Sequence, residues 1–156
     1  MHPMNRYPTN ELMRLPILGF LTLVLSSVTL LGQTNTPEGR WKTIDDDTGE
    51  VKSIIEIYRR GNAYHGRVAE ILTGNTDALC TECSGEKKDA PILGMVIIED
   101  LVADDEPKSW TNGTIFDPQK GATYGLSAWY EDNPDVLYIR GRHWTGLYRT
   151  QQWLRE

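Results

Sequence analysis

The chain has 156 residues, two cysteines and a formal net charge of −6, and its 39% hydrophobic content is enough for one buried core. Its surplus of acids repels phosphate backbones and anionic lipid surfaces, which argues against a nucleic-acid partner. Five tryptophans, seven tyrosines and fourteen glycines beside only two phenylalanines suit strands and turns better than a helical bundle.

The first element in chain order does not belong to the fold. Arg6 and Arg14 precede an uncharged, largely apolar run from Leu15 to Leu31, and the small Gly32 follows where a signal peptidase would cut. The run falls short of the roughly 20 residues that a spanning helix needs. Residues 1–32 therefore read as a signal peptide and residues 33–156 as a single domain, with no integral membrane span after processing. An uncleaved anchor is the alternative, because Leu30 is bulkier than usual so close to a cleavage point. Export places the mature chain in the periplasm or outside the cell.

After the leader, β-prone runs alternate with turn chemistry, and no long helical period or repeat appears. Arg40 to Asp45 and Val51 to Arg60 are predicted strands. The aspartates between them are adjacent rather than alternating, as a calcium loop would require, so Asp46-Asp47-Thr48-Gly49 reads as a hairpin turn. Gly61-Asn62 makes a second hairpin. On Val51 to Arg60, Ser53, Ile55 and Ile57 share one face and Ile54, Glu56 and Tyr58 the other. Both faces are partly apolar, as in a curved sheet around a filled or ligand-holding interior.

The polar segment Thr73 to Ala90 reads as a long loop. Further strands are predicted at Ile92 to Leu101, Asn112 to Phe116, Thr123 to Tyr130, Val136 to Arg142 and Thr145 to Arg155, with Ala103 to Ser109 as an acidic connection. Asn112-Gly113-Thr114 fits a glycosylation acceptor but reads more simply as a turn. About eight strands in a meander predict an all-β, antiparallel up-and-down barrel, near the size that closes around one small ligand.

Chemistry is harder to find. Cys80 and Cys83 most simply form a disulfide in an exported chain, with two free thiols as the alternative; nothing helical follows Cys83 to activate a thiol. A zinc site would need ligands beyond His65 and His143, which stand far apart on different strands, so no metal and no cofactor is expected. Neither a G-x-S-x-G elbow nor an H-E-x-x-H helix is present, so no residue is assigned a catalytic role. Arg140 and Arg149 sit in apolar strands, where a guanidinium must be paired, stacked or solvated. One of them is expected to stack on Trp41 and close the first strand onto the last, and the other to reach a ligand carboxylate or phosphate. We assign closure to Trp41 with Arg149 and the ligand contact to Arg140.

Gly39-x-Trp41 with a late arginine resembles the lipocalin signature. The ordered set "GRWKTIDDDTGEVKSIIEIY", the C-x-x-C loop, "PILGMVII", "NGTIFDPQKGATY", "LYIRG" and "GLYRTQQW" resembles the bacterial family called domain of unknown function 2147. That resemblance implies an exported, lipocalin-like barrel and no established reaction. It carries Trp41, Asp45, Ser53, Glu56, Gly94, Asp117, Arg140 and Trp153 as positions of the lining or the scaffold. Arg142-His143-Trp144 is bulkier than the glycine turn usual after "LYIRG". The expectation is a binding protein for a small, partly apolar and possibly acidic molecule, with Trp41, Tyr58, Tyr124 and Tyr138 as aromatic walls and Glu56 and Arg140 as polar anchors. A second expectation is a barrel filled by its own side chains and acting through its rim as an envelope interaction or stress module.

Overall fold

Runs of six to ten alternating residues, each ended by turn formers, become strands here. In the computed structural model, which describes residues 36–156, these are β1 (Gly39–Ile44), β2 (Val51–Arg60), β3 (Ala63–Ile71), β4 (Val96–Ala103), β5 (Ser109–Asp117), β6 (Ala122–Tyr130), β7 (Val136–Arg142) and β8 (Tyr148–Arg155). Each pairs antiparallel with the next and β8 returns to β1, closing an up-and-down barrel. The leader read over residues 1–32 lies outside the described residues. No helix among the described residues is long and apolar enough to cross a membrane.

The turns follow the residues that make them. Gly61, at φ 64°, takes the left-handed position of the two-residue β2–β3 turn beneath the Arg60–Ala63 pair. The β1–β2 turn is held by Asp45, whose carboxylate accepts the backbone N–H groups of Asp47 and Thr48 at 3.0 and 2.9 Å, with Gly49 at φ 74°. Three strand starts differ by three residues or more from the sequence reading. β4 starts at Val96, because Ile92 to Met95 folds back on the long loop. β5 starts at Ser109, so Asn112-Gly113-Thr114 lies in a strand, at a bulge where Asn112 takes φ 58°. β8 starts at Tyr148, because residues 143–147 form the turn.

The connections β2–β3, β4–β5 and β6–β7 cluster at one end of the barrel, and β1–β2, β3–β4, β5–β6 and β7–β8 at the other. The first end is solid. Trp41, Tyr64, Trp110 and Tyr130 fill it, with Trp110 edge-on to Tyr130 at 5.5 Å and to Tyr64 at 6.3 Å. Trp41 is fully buried and donates its indole N–H to the Pro37 carbonyl at 2.9 Å.

Closure of the sheet differs from expectation in its arginine. The guanidinium over the Trp41 ring, 4.2 Å from its centre, belongs to Arg155, not Arg149. Trp41 pairs with Arg155 and Lys42 with Leu154 across the β1–β8 seam, so Arg155 stands directly beside the indole. Arg149 is six residues earlier on β8, at the opposite end of the barrel, and pairs with Asp46. Arg155 also donates to the Tyr130 hydroxyl at 3.2 Å and the Pro134 carbonyl at 3.3 Å. On the outer surface Arg40 holds Glu156 and Glu70, linking β1 to the end of β8 and to β3.

Stability should follow this placement. Trp41→Ala is expected to lower unfolding stability by about 3–5 kcal/mol, Arg155→Ala by about 1–2 kcal/mol and Arg149→Ala by under about 1 kcal/mol. Urea unfolding of the three variants measures the order, and a larger loss for Arg149→Ala than for Arg155→Ala would reassign the closing residue.

Candidate functional site

The same alternation that fills one end leaves the other hollow. Towards the β1–β2 turn the inward residues become Thr43, Ser53, Ile55, Val68, Ile115, Ile139, Gly141 and Gln151, which are smaller than the aromatic plug and do not meet across the axis. They surround an open cavity of about 770 Å³. Ile71 and Ile97 add apolar wall, Phe116 and Ile92 stand near the mouth, and Trp153 lies between cavity and core.

Uncharged polar groups are spaced within this wall. The hydroxyls of Thr43 and Ser53 lie 2.8 Å apart, and the Gln151 amide oxygen is 3.4 Å from the Trp153 indole N–H. Charge is confined to the mouth, where all of it but Asp47 is paired. Lys52 is 3.1 Å from Asp45, Lys120 is 3.7 Å from Asp117, and the Arg149 Nε is 2.6 Å from Asp46. The backbone N–H of Thr48, then Lys52, then the N–H of Asp47 hold the Asp45 carboxyl down at about 2, so it is ionised throughout the physiological range. His143 shares a hydrogen bond with Thr145 at 2.9 Å, and its ring lies 6.0 Å from Tyr124 at the cavity edge.

The long β3–β4 loop is anchored over this end. Cys80 and Cys83 are joined as a disulfide, buried in the core cluster. Cys80 exchanges backbone hydrogen bonds with Ala90 at 2.9 Å and Asp89 at 3.1 Å, closing the segment into a tight lobe. The lobe sits against the β5–β6 turn, where Gly121 at φ 59° meets the Glu82 carbonyl so closely that a side chain would collide with it. Ala78 and Ile92 on either side of the lobe reach the cavity wall.

On the barrel wall, β1 and β8 are hydrogen-bonded only beside the plug. Beyond the Lys42–Leu154 pair the strands carry no ladder, and Asp46 spans the seam by side chain, accepting from Arg149 and, at 3.5 Å, from Gln151.

Of the residues assigned from sequence to the ligand, only Tyr124 lies in the cavity wall. Trp41 belongs to the plug. Glu56 and Tyr58 point outward, Glu56 to Arg67 at 2.7 Å and Tyr58 against the His65 ring at 6.1 Å. Tyr138 and Arg140 lie on the outer face of β7, because Leu137 and Ile139 take the core side. Tyr138 stacks on Trp129 at 5.5 Å, and Arg140 is sandwiched between Trp129 and Tyr148 at 4.7 and 4.6 Å while donating to Thr150 at 2.9 Å. Both β2 and β7 carry apolar residues on each face, and the face with Glu56 or Arg140 is the one that solvates a charge without burying it. Among the positions carried by the family resemblance, Asp45, Ser53, Asp117 and Trp153 line the cavity. Sequence reasoning passed over Lys52, Thr43 and Gln151. The signal for Thr43 was alternation with Trp41 on β1 and that for Gln151 alternation with Trp153 on β8, while Lys52, three residues from Ile55, carried none. Among the described residues no group of three or more histidine, cysteine, aspartate or glutamate side chains converges as a metal site.

The low titration of Asp45 has a definite sign. A carboxyl whose folded pKa lies below its unfolded value lends stability that is complete above about pH 4 and is lost as the pH falls towards 2. Asp45→Asn should therefore destabilise the protein at pH 7 and flatten the acid limb of its urea midpoint between pH 5 and 2. An unchanged acid limb in the variant would remove Asp45 from that role.

Residues 39–155 match the model of a family described as an uncharacterised protein conserved in bacteria, DUF2147. Among solved structures, protein HP1028 from the human pathogen Helicobacter pylori, described as belonging to the lipocalin family, superimposes with a TM-score of 0.66. The two chains are 17% identical over 76% of this chain and 82% of that one, a likeness that establishes the fold. No curated protein matches the sequence.

Proposed function

We propose that this chain, which belongs to the DUF2147 family, is a binding protein that takes a small, partly apolar molecule into the hollow half of its lipocalin-like barrel. The observation that carries this reading is the cavity of about 770 Å³, open at one end and walled mainly by aliphatic side chains beneath a polar mouth. Ligand pockets run to roughly 300–1,000 Å³ with mostly apolar linings and a few placed polar groups. Thr43, Ser53 and Gln151 are the orienting groups, Ile55, Val68, Ile115 and Ile139 the apolar wall, and Tyr124 with His143 the lip. A barrel filled by its own side chains describes the plugged half only. Export to the periplasm or beyond accompanies the proposal and is supported by Arg6, Arg14 and the apolar run Leu15 to Leu31 of the leader.

A neutral apolar fluorophore such as N-phenyl-1-naphthylamine tests the site. Its emission should rise on mixing and saturate at one probe per chain. Val68→Trp and Ile139→Trp, which each push an indole into the lumen, should weaken binding at least tenfold while the variants still unfold cooperatively. Undiminished probe binding by both folded variants would move the site out of the barrel.

A further inference from the structure

From the pairing of charge at the mouth we infer that the molecule held in the lumen is an amphiphile with an electrically neutral head, its chain against the isoleucine wall and its head hydrogen-bonded at the Thr43–Ser53–Gln151 level. This rests on the lumen being the binding site and adds the charge class of what enters it. Below the mouth the polar groups are two hydroxyls and an amide, which donate and accept hydrogen bonds without favouring either sign of charge. At the mouth each cation is already engaged: Lys52 by Asp45, Lys120 by Asp117 and Arg149 by Asp46. An anionic head reaching Arg149 or Lys52 must displace an aspartate and leave that carboxylate without its partner in a partly enclosed rim. Asp47, the remaining acid of the lining, adds negative charge at the tip of the β1–β2 turn and opposes the same ligand. Arg140, the cation that would have suited an acid, faces outward between two aromatic rings. A cationic head fares little better, since Asp45 and Asp46 are held by Lys52 and Arg149, and the exposed Asp47 attracts it only weakly through solvent.

The apolar wall sets a second expectation. Each methylene removed from water is worth about 0.8 kcal/mol, close to a fourfold gain in affinity, until the chain fills the lumen.

The test uses three ten-carbon probes of matched chain, monodecanoylglycerol, decanoate and decyltrimethylammonium, titrated by calorimetry into the full mature chain at low ionic strength and pH 7. Monodecanoylglycerol should bind tightest, with decanoate about tenfold weaker, and the six- and eight-carbon glycerides should fall off stepwise. Asp46→Asn frees Arg149 and should bring decanoate up to the glyceride while leaving the glyceride within about twofold. Decanoate bound as tightly as the glyceride by the unaltered chain, or unmoved by Asp46→Asn, overturns the inference and leaves the lumen standing as the site. Failure of all three probes to bind, with N-phenyl-1-naphthylamine also excluded, overturns the lumen itself and the inference with it.

Discussion

The barrel depends on its closing seam, where a guanidinium sits over a buried indole beside the β1–β8 ladder. Arg155 covers Trp41 at 4.2 Å, beside the two main-chain register pairs that join the last strand to the first. A sheet that failed to close there would leave edges with unpaired N–H and C=O groups, and it would have no inside. The contact is worth only about 0.5–2 kcal/mol by itself, but it sits where the indole is already buried, hydrogen-bonded to Pro37 and flanked by Tyr130. Stacking, burial and ladder therefore reinforce each other at a single point.

From that point the barrel divides along its axis. The aromatic plug is close-packed and holds the strands in register, so the other half does not need to fill its own interior to stay folded. That freedom allows isoleucine, valine, threonine and serine to line a space instead of a core. The disulfide-tied lobe between β3 and β4 performs the matching task at the wide end. It docks on the β5–β6 turn through the bare backbone of Gly121 and so places part of the wall with a loop.

The architecture was legible in the sequence because turn chemistry is local. Asp45 to Gly49, Gly61-Asn62 and the Pro118 to Gly121 corner each announce a reversal by residues whose backbone preferences need no tertiary context. Which face of a strand looks inward was much less legible. On β2 the choice lay between Ser53-Ile55-Ile57 and Ile54-Glu56-Tyr58, and on β7 between Leu137-Ile139-Gly141 and Val136-Tyr138-Arg140, with apolar residues on both sides each time. The outer faces are apolar here because aromatic rings on neighbouring strands stack there, as Trp129 and Tyr138 do with Arg140. A stacked guanidinium on the outside and one on the inside look the same in sequence. Only the cross-strand register, Trp41 opposite Arg155, distinguishes the closing arginine from Arg140 and Arg149.

The short β1–β8 ladder turns the cylinder into something like a cuff fastened at one edge. Spreading its free edge breaks no main-chain hydrogen bond between β1 and β8 beyond Lys42, only the solvent-exposed bridge from Asp46 to Arg149 and Gln151. Such a bridge weakens with added salt far more than a ladder does. At the rim, therefore, the join between first and last strand rests on a salt-sensitive ion pair, while the buckle at Trp41 keeps the circumference joined.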